Sequence, residues 1–277
     1  MKATHNLSDP VNISQITRHA DGTVGKALNI LDIVEDFGKP VRFVQIMHRS
    51  PYPKPTTYRF LQTLTNQRML ALNPDTGHYS LGVRLMRLAH SAWKQASLAP
   101  VAAPFLDQLS KKTGETIHLA QLDGAQVLYL DKRNAIRPVS MFSDAGKVGP
   151  AYCTGVGKAM MAFLEADARN NLIAQQSFFK YTDHSITSAE QLEAELQQIR
   201  KTRISFDREE HEPNIICIAS PILTPSGRVI GGISITSSTN RVSLENLQNY
   251  SDDLKSTADK IGEAAFQWMF PDTGGNI

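Results

Sequence analysis

Apolar residues recur at two different periods along this chain, and the change falls near Gly114. Before it the spacing is helical. "TVGKALNILDIVEDFG" places Val24, Ala27, Leu28, Leu31 and Val34 on one stripe, with Gly38 as a stop signal. "VRFVQIMHR" predicts a second, short helix with Phe43, Ile46 and Met47 on one side. In "SPYPKPTTYRFLQTLTNQRML", Pro55 suits the first turn of a helix, where a missing N–H costs nothing. There Tyr58, Leu61 and Leu64 form the inward stripe, and Thr56, Thr57, Arg59 and Thr63 face outward. "LALNPDTGHYSL" reads as a β-hairpin. Three helices and a hairpin are the layout of a winged helix-turn-helix, here over residues 23–82, behind a polar arm at 1–22 expected to be mobile. Residues 83–97 continue as a helix, read as a rigid connector, with a core helix and a dimerisation helix as competing readings.

Beyond Gly114 the period becomes two. "ETIHLAQLDGAQVLYLDKR" predicts two strands joined at Asp-Gly, "IRPVSMF" a further short strand, and "NIICIASPILTPSGRVIGGISITSS" a strand pair around Pro-Ser-Gly. "TGVGKAMMAFLEADARNNLIAQ" and "SAEQLEAELQQIRKTRI" predict helices. "SLENLQNYSDDLKSTADKIGEAAFQWM" predicts one long closing helix, buried through Leu244, Leu247, Leu254, Ala258, Ile261 and Phe266. Hairpins with helices between and after them indicate an α+β domain on an antiparallel sheet, spanning residues 98–270.

Charge divides along the same line. Residues 1–97 hold 12 Lys/Arg against 6 Asp/Glu, and residues 98–277 hold 17 against 21, so a front of +6 is joined to a body of −4. A basic front suggests an anionic partner for that segment alone. No apolar run is long enough to span a membrane and the first residues lack the apolar middle of a signal peptide, so a cytoplasmic protein without membrane contact is expected. Two cysteines, Cys153 and Cys217, make neither a disulfide framework nor a zinc site by themselves.

Two stretches carry candidate chemistry. "GPAYCTGVGKAM" resembles the start of a phosphate loop, but Tyr152 stands at the first glycine position and Ala159 replaces the hydroxyl after Lys158. What remains is either a turn offering N–H groups to a small anion or a helix start capped by Thr154 with glycines for close packing. "SFDREEHEPNIICIASP" gathers Asp207, Glu209, Glu210 and His211 before a strand carrying Cys217. Asp207, Glu210 and His211 are a conceivable acid–base or metal set, though no hydrolase or metalloprotease motif accompanies them, and His118 in its strand reads as a packed or pocket histidine. Neither a catalytic set nor a metal or cofactor is expected.

Seven ordered pieces together resemble the IclR-type bacterial transcriptional regulators over about residues 23 to 268: "TVGKALNILDIV", "PKPTTYRFLQTL", "GHYSLGVRLMRLA", "TGETIHLAQLDGAQVLYL", "YCTGVGKAMMAFL", "DREEHEPNIICIASPIL" and "GRVIGGISITSS". The resemblance implies a winged helix-turn-helix joined by a linker helix to a GAF-like effector domain, dimers or tetramers on operator DNA, and control by a small organic acid (hydroxy, keto or aromatic). It implies DNA contacts at Lys54, Thr56, Thr57, Tyr58, Arg59, Thr63 and Arg84. It implies effector contacts at Met141, Gly155, Val156, Asp207, Ile215, Cys217, Ser234 and Thr236. Two departures stand out: Pro51 where the family's turn has glycine, and Met47 where it has alanine, which implies a stiffened, altered turn. The expectation is a repressor of a catabolic operon. Its rivals are a metabolite sensor acting through protein partners and an enzyme using Asp207, Glu210 and His211.

Overall fold

The computed structural model describes residues 22–96 and 98–269, so the expected arm lies outside it except for Gly22. Two compact units divide the chain, Met1–Gln95 and Ala96–Ile277. No described helix is long and apolar enough to cross a membrane.

The first unit holds α1 (Gly22–Glu35), α2 (Phe43–Arg49) and α3 (Lys54–Asn66), followed by α4 (Val83–Ala96). Strands β1 (Val41–Arg42), β2 (Leu70–Asn73) and β3 (His78–Leu81) form an antiparallel sheet in the order β1-β3-β2. The helical pattern assigned Val41 and Arg42 to a helix; instead they pair with Tyr79 and His78 at the base of the wing. The stripe of α1 is also rotated from the expected one. Ile30, Leu31, Ile33 and Val34 are buried, with Ala27 packed against them, whereas Val24 is 72% exposed and Leu28 46%. The core closes over Ile46 from α2, Phe60, Leu61 and Leu64 from α3, and Leu70 and Tyr79 from the wing.

The second unit is built on a six-stranded antiparallel sheet, order β6-β5-β4-β9-β8-β7. Its strands are β4 (Thr116–Asp123), β5 (Gln126–Arg133), β6 (Val148–Pro150), β7 (Ser205–Arg208), β8 (Ile215–Leu223) and β9 (Val229–Ser238). Side chains alternate between its faces. One face carries Ile117, Leu119, Ile216, Ile218, Ile222, Ile233 and Ile235, packed under α5 (Ala99–Thr113) and α10 (Ser251–Met269). Each such side chain contributes roughly 1.5–3 kcal/mol on burial, so a one-residue slip that turned this set outward would be heavily penalised. The register is thereby fixed, and with it the opposite face. There Ala120, Tyr129 and Ala219 meet α6 (Gly155–Met161), which packs on α8 (Ala189–Thr202).

Three expected elements come out differently. "IRPVSMF" forms no strand, because β6 already pairs the free edge of β5 and Pro138 has no N–H to offer a ladder. The helix expected from Thr154 breaks after Met161 and resumes as α7 (Ala166–Ala174). The closing helix breaks between α9 (Leu244–Gln248) and α10, where the Ser251 hydroxyl bonds the Gln248 carbonyl. Along it Leu247, Leu254, Ala258 and Ile261 are buried as expected, but Ala265 takes the buried place and Phe266 is 38% exposed.

Candidate functional site

The turn between α2 and α3 shows how the proline-rich segment is accommodated. Ser50 is extended (φ −72°, ψ 129°) and Pro53 caps α3 at φ −57°, ψ 149°, and no residue of this turn takes a positive φ. The chain therefore rounds the corner without the conformation that a glycine would favour, and Pro51 fits. Hydroxyls close the turn. Ser50 Oγ lies 2.8 Å from Thr57 Oγ1 and accepts the Tyr52 N–H at 3.2 Å, while Thr57 Oγ1 donates to the Tyr52 carbonyl at 3.3 Å. Tyr52 also sets its ring edge-on to Phe60, 6.0 Å between centroids.

This arrangement corrects the expected outward face of α3. Thr57 is fully buried beside Phe60, Leu61 and Leu64 and is removed from any surface that could meet DNA. Tyr58, assigned inward by the pattern, is 53% exposed, with its ring edge-on to Phe43. Lys54, Arg59 and Thr63 are exposed, and Thr56 is half-buried. Arg84 on α4 directs Nη1 to the Gln67 carbonyl (3.2 Å) and the Gln67 Oε1 (2.9 Å), so its guanidinium ties α4 to the end of α3.

In the second unit the face opposite the isoleucines carries a small cavity of about 30 Å³, part of it open at the mouth. Strand pairing supplies its floor: Asp207 pairs with Cys217, Cys217 with Thr236, and Ser234 with His118. Alternation along β4, β7, β8 and β9 turns these polar side chains to one face as surely as it turns the isoleucines to the other. Thr154 before α6 and Gly155 and Val156 at its start join them, β5 adds Tyr129, and loops add Ser143, His211 and Glu212. A Cβ on Gly155 would collide with the Cys217 sulfur, and one on Gly157 with the Ala151 backbone, so both glycines answer to close packing. Thr154 does not cap α6; its hydroxyl donates back to the Pro150 carbonyl at 2.7 Å.

Lys158, the residue that lent this stretch its phosphate-loop look, is fully buried and faces carboxylates. Its Nζ sits 2.5 Å from Glu210 Oε1 and 3.5 Å from Glu195 Oε1. The loop carrying Glu210 is shaped by two non-glycine residues in the left-handed region, Glu209 (φ 62°) and Asn214 (φ 64°), tied by Asn214 N–H to Glu209 Oε1 at 2.6 Å. That strained hairpin delivers His211 and Glu212 to the cavity. His211 stands edge-on between Phe142 and Tyr181, and Glu212 accepts the Phe142 N–H at 2.8 Å. Among the described residues, no group of three or more His, Cys, Asp or Glu is disposed to hold a metal ion.

Burial governs ionisation here. It pushes the Asp207 carboxyl well above the carboxylate range, helped by the Glu210 charge and opposed by Lys158. It lowers His118 to about 3 and His211 to about 4, so both imidazoles are neutral near pH 7. Neutral His118 is held at both nitrogens, with Nε2 3.0 Å from Ser143 Oγ and Nδ1 3.2 Å from Thr236 Oγ1. Burial also raises the Glu212 carboxyl and both cysteine thiols.

Comparison with known proteins decides the identity of this two-unit arrangement. The family model described as "Bacterial transcriptional regulator IclR C-terminal" matches residues 90–263, and the "IclR helix-turn-helix domain" matches residues 23–74. The chain belongs to the IclR family of bacterial transcriptional regulators. It is accordingly a DNA-binding regulator with an effector-binding C-terminal domain. The Escherichia coli regulator KdgR is 32% identical over 241 residues, covering 86% of this chain and 92% of that protein. The solved Thermotoga maritima IclR aligns with TM-score 0.68 at 28% identity, covering 87% of this chain and 97% of the other. An IclR homologue from Microbacterium hydrocarbonoxydans, solved with 4-hydroxybenzoate, shares the fold at TM-score 0.76 and 20% identity, covering 87% and 98%.

Within this IclR-family domain the cavity gathers Gly155, Val156, Asp207, Ile215, Cys217, Ser234 and Thr236, seven of the eight effector residues implied by the resemblance. Met141 is half-buried next to Phe142 and is not in the cavity wall. Sequence reasoning did not assign Tyr129, Ser143 and Glu212 to the site, and it gave His211 only to a conceivable acid–base or metal set. Alternation could have found Tyr129, two residues from buried Val127 on the same face; the loop residues carry no periodic signal.

Proposed function

We propose that this regulator is a repressor whose operator affinity is controlled by a small organic acid, hydroxy, keto or aromatic, bound in the sheet cavity. The carrying observation is the cavity itself, polar on one side through Asp207, Ser234, Thr236 and His118 and bounded by the Gly155–Val156 turn. On DNA, Lys54 and Arg59 would neutralise phosphates, and Thr56, Tyr58 and Thr63 would meet base edges or methyl groups. Arg84, with Nη1 on Gln67, would act by holding α3 to α4. The exposed Val24 and Leu28 on α1, and Val83, Met86 and Leu88 on α4, support association of copies into a dimer or tetramer.

The protein would act by binding rather than turnover. Glu210 is held by Lys158, Asp207 Oδ1 accepts the Glu210 N–H, and His211 is enclosed between aromatic rings, which leaves no free acid–base pair among them. A cytoplasmic location accords with DNA as the partner. The test is binding to the DNA upstream of the protein's own gene across a salt series, with and without 4-hydroxybenzoate and a panel of hydroxy and keto acids. Salt-steep, sequence-preferring binding altered by an acid supports the proposal; DNA binding indifferent to every acid rejects the acid as effector.

A further inference from the structure

The cavity poses an electrostatic problem for an acid effector, and its solution deepens the reading just proposed. The wall holds two carboxyl groups, Asp207 and Glu212, and neither lysine nor arginine. Its two histidines are neutral near pH 7. Lys158, whose charge reaches Asp207, is engaged by Glu210 and Glu195, and Arg208 is drawn to the same Glu195 at 3.1 Å. Among the described residues no cation comes within 4.0 Å of the Asp207 carboxyl. An entering carboxylate would meet like charge at Asp207, because Lys132, the cation whose charge reaches His118 and Glu212 on the other side of the wall, spends its Nζ on the Ser143 carbonyl at 2.8 Å, and neutral hydroxyls alone do not remove that cost.

One proton resolves it, and the geometry says where the proton sits. Asp207 lies on β7 in register with Cys217, and its Oδ1 accepts the Glu210 N–H at 2.9 Å. The groups around it are the Cys217 thiol of β8, the Tyr129 phenol of β5, and Glu210, His211 and Glu212 of the β7–β8 loop. Cys153 and Lys158, from the turn and helix at α6, complete the set. Burial holds the thiols, the phenol and the imidazole neutral, Glu210 shares the Lys158 charge, and Glu212 accepts from Phe142. Asp207 is the carboxyl that faces the cavity with no donor side chain to stabilise a negative charge.

We propose that the cavity captures its acid effector together with one proton, carried by Asp207 as a carboxylic acid and donated in a hydrogen bond to the effector's carboxylate. When Asp207 is ionised beforehand the proton comes from hydronium, whose O–H bond breaks to leave water as the Asp207 O–H bond forms, and it returns to water as hydronium after the effector leaves. Acid affinity is then flat while the empty site is already protonated. Above the Asp207 pKa it falls by about tenfold per pH unit, because binding must then take up a proton. Asn at position 207 offers an N–H donor that does not titrate.

The inference rests on the acid reading, so the experiment separates the two. In the full chain without ligand, an infrared difference between wild type and D207N near pH 7 reads the Asp207 carboxyl directly. A protonated-carboxyl band, or an ionised Asp207 that becomes protonated when the acid is added, supports the inference, and an Asp207 that stays ionised with the acid bound overturns it. Calorimetry follows with 4-methoxybenzoate and D-gluconate, in buffers of different ionisation heat from about pH 6 to about pH 10, against methyl 4-methoxybenzoate and D-glucose as neutral counterparts. Uptake of about one proton per acid bound at alkaline pH, abolished in D207N together with the pH dependence, is the expected result. Acid binding with no proton uptake at any pH overturns the proton-coupled step while leaving the acid reading intact. Binding of only the neutral counterparts overturns both.

Discussion

Asp207 is buried at a stability cost that depends on pH, and the sign can be worked out. Its carboxyl titrates higher in the folded chain than the ordinary value near 3.8, so the folded state binds the proton more tightly. Stability from this group is complete at acid pH, then lost as pH rises from the unfolded value through the folded one. Asn at position 207 keeps an oxygen for the Glu210 N–H and cannot ionise. Effector-free Asp207→Asn should therefore melt above the wild type at neutral and alkaline pH and converge with it near about pH 4. His118 and His211 weaken both proteins equally in acid, because their folded values lie below 6.5, so they cancel from the comparison. A variant that melts lower at every pH would show that ionised Asp207 is stabilised after all. At the neighbouring ion pair, Glu210→Ala leaves Lys158 buried with only the longer contact to Glu195. Urea unfolding should report a loss of about 3–5 kcal/mol, the usual result of removing one partner of a buried pair. A loss below about 1 kcal/mol would mean that Glu195 moves in and suffices.

At the scale of elements, the turn before α3 separates packing from recognition. Thr57→Val keeps the volume but removes the hydroxyl that meets Ser50 and the Tyr52 carbonyl, so the turn should loosen by about 1–3 kcal/mol in unfolding experiments. Arg59→Ala leaves that turn alone. It should weaken operator binding and reduce the salt slope by about one phosphate contact, with effector affinity unchanged. Operator affinity equal to the parent's would remove Arg59 from the interface. These two positions also show how far the sequence was legible. Helix spacing located α3 and Pro55 marked its first turn, but Thr57 and Tyr58 are adjacent, and a pattern that ranks Tyr as apolar and Thr as polar exchanges them. The small Thr57 fits inside because Ser50 and Tyr52 answer its hydroxyl, a relation between segments that no local period encodes. In the sheet, Ile233-Ser234-Ile235-Thr236 announces its two faces by alternation alone. Glu212, Ser143 and His211 arrive on loops shaped by tertiary contacts and left-handed residues, so only the fold brings them to the cavity.

For the whole molecule, a basic front and an acidic body carry two binding events that must be linked if the acid controls DNA. Both act on the same states of one protein, and linkage then requires reciprocity: the factor by which the acid changes operator affinity equals the factor by which operator changes acid affinity. The size of that factor is set only by how differently the two DNA-binding states hold the acid, not by how tightly either holds it. Titrating the acid into free protein and into protein saturated with operator should give two affinities whose ratio matches the ratio of operator affinities with and without acid. Couplings of this kind are commonly about 1–3 kcal/mol, or roughly 5- to 150-fold. Asp207→Ala should bring both ratios to one together while operator affinity without acid stays at the parent value, because Asp207 lies in the effector unit and Arg59 in the DNA-binding unit. If the two ratios disagree in the wild type, the acid acts on DNA binding through a further equilibrium such as subunit association. In that case the ratios should drift apart as protein concentration is lowered and coincide again once one oligomer predominates.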